Sequence, residues 1–203
     1  ATTSLGAIWS SCSPDFGIDS VVDRLGQIEP KVLFCAAAYQ YGGKTFDCVE
    51  KVAGILGAIP SIEKTVVVPY VNPEADIGRL RNAVWIADFA RTPARQIDFR
   101  RLPFDHPVYI LFSSGTTGAP KCITHGAGGT LLQHLKELVL HTNLRREDRI
   151  CYFTTCGWMM WNWVVSSLAA GAAVVLYEGS PFHPSPAAMF DLIDDLGITI
   201  YGT

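Results

Sequence analysis

Short apolar runs alternate along the chain with segments whose apolar positions recur every three or four residues. The runs predict strands near residues 7–11, 31–37, 65–71, 109–112, 150–154, 172–177 and 198–201, the third being rich in β-branched residues. The periodic segments predict helices. Residues 15–28 place Ile18, Val21, Val22 and Leu25 on one face, and residues 45–56 do the same with Phe46, Val49, Ala53 and Leu56. Residues 130–141 turn Leu131, Leu132, Leu135, Leu138 and Val139 inward, and further helices are predicted over 75–82, 158–169 and 185–196. Residues 83–90 fit either state, residues 39–44 read as a Gly-Gly turn, and residues 91–107 as a loop broken by Pro93, Pro103 and Pro107. Strand and helix alternate almost throughout. The expected fold class is α/β: layered, with a largely parallel sheet and flanking helices.

Composition narrows the class. Of the 203 residues 49% are hydrophobic and 17% charged, which suits a packed core and excludes a disordered chain. The formal charge of -3 gives no reason to expect a nucleic-acid or anionic-membrane partner. No apolar run reaches the roughly twenty residues a membrane-spanning helix needs. The cysteines, Cys12, Cys35, Cys48, Cys122, Cys151 and Cys156, form no Cys-x-x-Cys pair, so no metal site is expected, and a reducing, cytoplasmic setting is. No signal peptide is visible. The chain starts without methionine and stops just after the apolar 198–201 run, which reads as a piece of a longer protein.

The stretch richest in chemistry follows the strand at 109–112. Ser113, Ser114, Thr116 and Thr117 supply hydroxyls, Gly115 and Gly118 relax the backbone, and Lys121 supplies a mobile positive charge. This is no Walker A loop, because its glycines are too close, Pro120 precedes the lysine and Cys122 follows where a magnesium-binding hydroxyl would stand. A bare Gly-Thr-Thr-Gly is most often a surface turn. A strand before it and a lysine after it turn the reading to a phosphate-binding loop.

Elsewhere the signals are weaker. Trp158, Trp161 and Trp163 share one short segment with Met159 and Met160, and one narrow helix face cannot bury all three indoles. His125 follows the loop closely but reads as structural, and His134 and His141 are too far apart on one helix to share a metal. Arg91, Arg95, Arg100 and Arg101 read as solvated surface, and no Ser-His-Asp or Cys-His arrangement has local support.

The run from Ser113 to Lys121 resembles the phosphate loop of the adenylate-forming superfamily, which includes acyl-CoA synthetases, luciferases and peptide-synthetase adenylation domains. Cys122 departs from the usual glycine. That departure, with residues 6–17 and 154–163, is similar to the acetoacetate-activating branch. The resemblance implies that residues 1–203 are part of the large N-terminal AMP-binding domain. Residues 1–107 would be a strand/helix layer before the phosphate loop, residues 108–203 would carry the loop and an acyl-pocket segment, and the small C-terminal domain would be absent. It implies ATP with Mg2+, coenzyme A as cosubstrate and acetoacetate as the acid, joined through an acyl-adenylate. Ser113, Ser114, Gly115, Thr116, Thr117, Gly118 and Lys121 would bind nucleotide, and Trp158 and Met159 would contact substrate. No catalytic residue is identified in this segment, which alone is expected to be inactive without the remainder of its chain. Another short-chain acyl-CoA synthetase, for acetate or a similar acid, and a non-catalytic nucleotide-binding module stay open as alternatives.

Overall fold

Thr65, Val66 and Val67 are almost wholly buried, as expected of a central strand covered on both faces. They belong to β4 (Lys64–Val68), which pairs in parallel with β1 (Val32–Ala36) on one side and β5 (Ala83–Trp85) on the other. The computed structural model describes residues 1–113 and 118–203, and these divide into two compact units. This three-stranded sheet lies in the unit built from Cys12–Asp98 and Phe112–Cys122. Helices α1 (Ile18–Leu25), continued by a 3-10 turn at Gly26–Ile28, and α2 (Val49–Ala58) bury Val21, Leu25, Val52, Ile55 and Leu56 in the core that Val67 joins. A hairpin of β2 (Ala38–Tyr41) and β3 (Lys44–Asp47) precedes α2, and the Asp47 carboxylate accepts the Val49 N–H at 2.8 Å, satisfying one orphan donor of that helix. Helix α3 (Ile86–Phe89) follows β5 directly.

The second unit comprises Ala1–Ser11, Phe99–Leu111 and Ile123–Thr203. Strand β6 (Pro107–Phe112) pairs with β7 (Cys122–Gly126); the Ser113 N–H bonds to the Lys121 carbonyl and the Ala127 N–H to that of His106, so the two run antiparallel. Trp9 meets Tyr109 in a single parallel bridge. A separate parallel sheet sets β8 (Arg149–Tyr152) between β9 (Ala173–Val174) and β10 (Ile200–Gly202). Its helices are α4 (Ala127–Leu135), prolonged by a π-helical turn over Lys136–His141, α5 (Met159–Ser166), prolonged by a 3-10 turn over Ser167–Ala170, and α6 (Ala188–Leu196). Leu138, Leu144, Ile150 and Ala172 form one buried cluster, and Cys151, Met189 and Ile198 another.

The α/β class and the parallel strand pairs match the sequence expectation, and several local readings are corrected: residues 75–82 hold only a 3-10 turn at Ile77–Arg79, and residues 7–11 only the single bridge at Trp9. Residues 45–47 are strand, because Phe46 stacks on Tyr39 at 5.0 Å across the hairpin; the helix begins only at Val49. The Gly-Gly turn narrows to Gly42 and Gly43, whose φ angles of 55° and 74° supply the left-handed turn a tight hairpin needs. Residues 83–90 are both states in turn, three residues of strand and then four of helix. On α4 the buried positions are His134 and Leu138, while Leu131, Leu132 and Val139 are exposed. Leu138 is buried as the period predicts; the π turn begins only at Lys136, so its smaller advance per residue can move Val139 off the expected face but not Leu131 or Leu132, which precede it.

His134, 6% exposed, is the buried polar group of α4. The Ser166 hydroxyl donates to the Asn162 carbonyl at 3.0 Å, leaving its oxygen to accept from His134 Nδ1 at 2.8 Å. Nδ1 therefore carries the proton and Nε2 the lone pair. Burial first, and the neighbouring His125 second, push the His134 pKa below the usual histidine value.

Two outcomes follow from this packing. Leu138→Ala is expected to cost about 3 kcal/mol in urea unfolding, as for a fully buried leucine, and a loss below about 1 kcal/mol would show that the helix buries a different face. Because His134 has a depressed folded pKa, its stabilising contribution is complete above the unfolded value of about 6.5 and is lost as pH falls below it, where the unfolded chain takes up a proton the folded one refuses. The unfolding midpoint should fall across that window, and more steeply than in His134→Gln, whose amide still donates to Ser166. Equal slopes would assign the dependence to another group.

Candidate phosphate loop and a candidate cavity

Strand β6 is apolar to its last residue, and Phe112 at its end packs against the core of the unit that holds the β1-β4-β5 sheet. Polar chain begins at the next residue. The Ser113 N–H donates to the Lys121 carbonyl at 3.0 Å and the Ser113 hydroxyl accepts the Lys121 N–H at 3.3 Å, so one serine holds both main-chain groups of the lysine. The loop is thereby closed at its base. The Lys121 side chain is exposed, and its ammonium has no ion-pair or hydrogen-bond partner among the described residues. A Cβ at Gly118 would meet nothing within 4 Å among the described residues, so no contact of the described chain demands glycine at that position. Ser114, Gly115, Thr116 and Thr117, expected from the sequence to bind nucleotide, lie outside the described residues.

A cavity of about 560 Å³ opens in the unit that carries α4 and α5. Phe104, Met159 and Trp163 are the large apolar side chains of its lining, which also includes Asp105, His125, Gln133, His134 and Glu137. The Phe104 carbonyl accepts the Gly128 N–H at 2.8 Å, and a Cβ at residue 128 would come within 2.2 Å of the Phe104 ring. Glycine there is what lets the ring lie against the first turn of α4. Of the two residues expected to contact substrate, Met159 lines this cavity. Trp158 stands at the N-terminal boundary of α5, 54% exposed, and is not among the lining residues. Gln133, His134 and Glu137 had no sequence signal of their own. Their common face could be traced only from the i, i+3, i+4 spacing of polar residues on a helix whose leucines dominate the pattern.

Three thiols, those of buried Cys48 and Cys151 and half-buried Cys35, take no part in either place. Burial, with Cys48 nearby, pushes Cys35 up to about 12, and Cys48 and Cys151 are likewise raised by burial, so all three stay protonated and pack as small apolar groups. Among the described residues no group of three or more His, Cys, Asp or Glu side chains is arranged to hold a metal ion, and no helix is long and apolar enough to cross a membrane.

Comparison with known proteins adds independent information. The chain is 54% identical over 209 residues to the acetoacetyl-CoA synthetase of Gallus gallus, covering all of this chain and 31% of that protein. It is 46% identical over 221 residues to the malonamoyl-CoA synthetase of Penicillium aethiopicum, again covering all of this chain and 30% of the relative. Its fold superposes on an acetoacetyl-CoA synthetase structure from Streptomyces lividans with a TM-score of 0.93 at 41% identity, covering this whole chain and 30% of that one. The chain thus spans about a third of the length of the relatives it matches. The family model described as AMP-binding enzyme matches residues 1–203, and the chain belongs to that family.

Proposed function

We propose that this chain is the phosphate-loop section of an AMP-forming acid–thiol ligase that converts ATP, acetoacetate and coenzyme A into acetoacetyl-CoA, AMP and diphosphate. The observation that carries the reading is the loop base: Ser113 fixes both main-chain groups of Lys121, while the lysine's ammonium stays uncommitted among the described residues. The family supplies the context, and the acetoacetyl-CoA synthetases similar to this chain supply the acid.

In the first half-reaction the acid's carboxylate attacks the α-phosphate of ATP and diphosphate leaves. Lys121 neutralises charge on the departing β- and γ-phosphates, and Ser113, Ser114, Gly115, Thr116, Thr117 and Gly118 donate to their oxygens. In the second, the thiol of coenzyme A attacks the acyl carbonyl and AMP leaves. Magnesium accompanies ATP as the counter-ion of its phosphates, and the described residues form no cluster that would hold it without them. Met159, which shares the cavity lining with Trp163 and Phe104, takes the acid's tail, and Trp158, the exposed residue before it, is the second substrate contact. The remainder of the enzyme's chain is required for turnover, and the protonated thiols suit a cytoplasmic setting.

A narrower alternative concerns the acid. Acetoacetate and malonamate both carry a carbonyl two carbons from the carboxylate and differ only in a terminal methyl or amino group. The match to a malonamoyl-CoA synthetase keeps malonamate in view.

Three measurements test this reading. Acid-dependent exchange of labelled diphosphate into ATP by the full-length protein is expected to be fastest with acetoacetate, slower with malonamate, and slowest with acetate and butyrate. A preference for another acid would keep the chemistry and replace the substrate, and no exchange with any acid would favour a non-catalytic module. Lys121→Ala is expected to lower kcat/KM for ATP by about 100-fold, the scale of one lost transition-state donor, with KM for the acid little changed. Met159→Ala is expected to raise kcat/KM for an acid one methylene longer by about tenfold relative to acetoacetate. If Trp158→Ala produced the larger change instead, the tail would lie against the indole.

A further inference from the structure

Gln27 reaches the phosphate loop from far away in sequence. It sits in the 3-10 turn that continues α1, a helix anchored in the core by Val21 and Leu25. Its side-chain Nε2 donates to the Pro120 carbonyl at 2.8 Å and to the Asp23 carbonyl at 2.5 Å, and its Oε1 accepts the Cys122 thiol at 3.6 Å. The amide orientation is fixed by chemistry: two carbonyl oxygens require the N–H end, and turning the amide over would set oxygen against oxygen twice. Both N–H donors are used, one inward to the parent helix and one outward to the loop. Pro120 and Cys122 are the residues on either side of Lys121.

We infer that Gln27 is a positioning residue for Lys121, pinning the exit limb of the phosphate loop to the end of α1 so that only the lysine side chain remains free to follow the nucleotide. Ser113 holds the lysine's own N–H and carbonyl, and Gln27 holds the carbonyl before it and the thiol after it. Between Pro120 and Cys122 the main chain is then tied from two directions, one local and one 93 residues distant in sequence. Buried Pro120 adds a fixed φ to the same limb. Holding the lysine's Cα in place removes the entropy its backbone would otherwise lose when the ammonium engages phosphate, so the benefit should appear in ATP affinity. This inference rests on residues 113–121 being the ATP phosphate loop.

The test is a double-mutant cycle in the full-length protein, read as KM and kcat for ATP and for the acid in diphosphate exchange. Gln27→Met keeps the side-chain length and removes the donors; Gln27→Ala removes the reach as well. Each is expected to raise KM for ATP about five- to tenfold, the effect of one or two lost hydrogen bonds, while KM for the acid and the thermal unfolding midpoint stay near wild type. In a Lys121→Ala background the same changes should alter KM for ATP by less than about twofold, because the group they position is gone. Equal losses with and without Lys121, or a lower unfolding midpoint with KM for ATP unchanged, would overturn the positioning role and leave the loop reading intact. A Lys121→Ala protein with normal kinetics for ATP would overturn both.

Discussion

Closure of the loop by Ser113 is the constraint from which the functional reading descends. A segment that is to wrap an anion must leave its donors unpaired, which is unfavourable unless the ends of the segment are held independently of the ligand. Here the ends are held by a serine that uses its amide and its hydroxyl on the same lysine, eight residues along. Each bond contributes about 1 kcal/mol. Together they fix where the lysine begins and leave its ammonium without a partner among the described residues. Phe112, packed in the core, stops the entry limb from slipping, and Gln27 provides the matching restraint on the exit limb.

What was legible in the sequence divides along physical lines. Continuous β-branched or apolar runs mark strands, so β1, β4, β6 and β8 stood out from composition alone, although of these only β4 and β8 place buried residues on both faces. The hairpin did not, because Thr45 and Phe46 fit a helical period with Val49 and Ala53 as well as they fit a strand; the Tyr39–Phe46 stack that decides the matter joins residues from opposite strands. Strand β7 is the sequence Cys-Ile-Thr-His-Gly, which has neither alternation nor an apolar run and is a strand only because β6 lies beside it. Short β9, with two paired residues, shows the converse: the apolar run at 172–177 promised more ladder than β8 can pair.

The site was legible in the same uneven way. A lysine after a Gly/Ser/Thr run is a local signal, and its place opposite Ser113 follows from local chain. Gln27 is a surface glutamine in a helix end, indistinguishable from its neighbours until the partner 93 residues on is known. On α4 and the π turn that prolongs it, five leucines and valines dominated the periodic signal; Leu138 is buried as they predict, but its buried neighbour one turn back is His134. The hydroxyl of Ser166 gives the imidazole a partner, and a paired polar group can occupy a buried position that an unpaired one could not.

That imidazole also bears on which acid the cavity suits. Its proton is committed to Ser166, so Nε2 can only accept, and the other polar groups of the lining include the carboxylates of Asp105 and Glu137. In the proposed reading a keto acid would enter this cavity tail first, its carboxylate kept away from Asp105 and from Glu137, whose charge Lys136 offsets at 3.1 Å. For a methyl ketone the tail then meets Met159, Trp163 and Phe104 without needing a donor. An amide tail would bring two N–H groups to the acceptors and gain a hydrogen bond of about 1 kcal/mol, but would first have to shed water on entering a mostly apolar lining. The two terms are of similar size and opposite sign. In the proposed reading, discrimination between a methyl ketone and its isosteric amide would depend on how closely Nε2 of His134 approaches the bound tail, while the Nδ1 proton stays on the ring as the donor to Ser166.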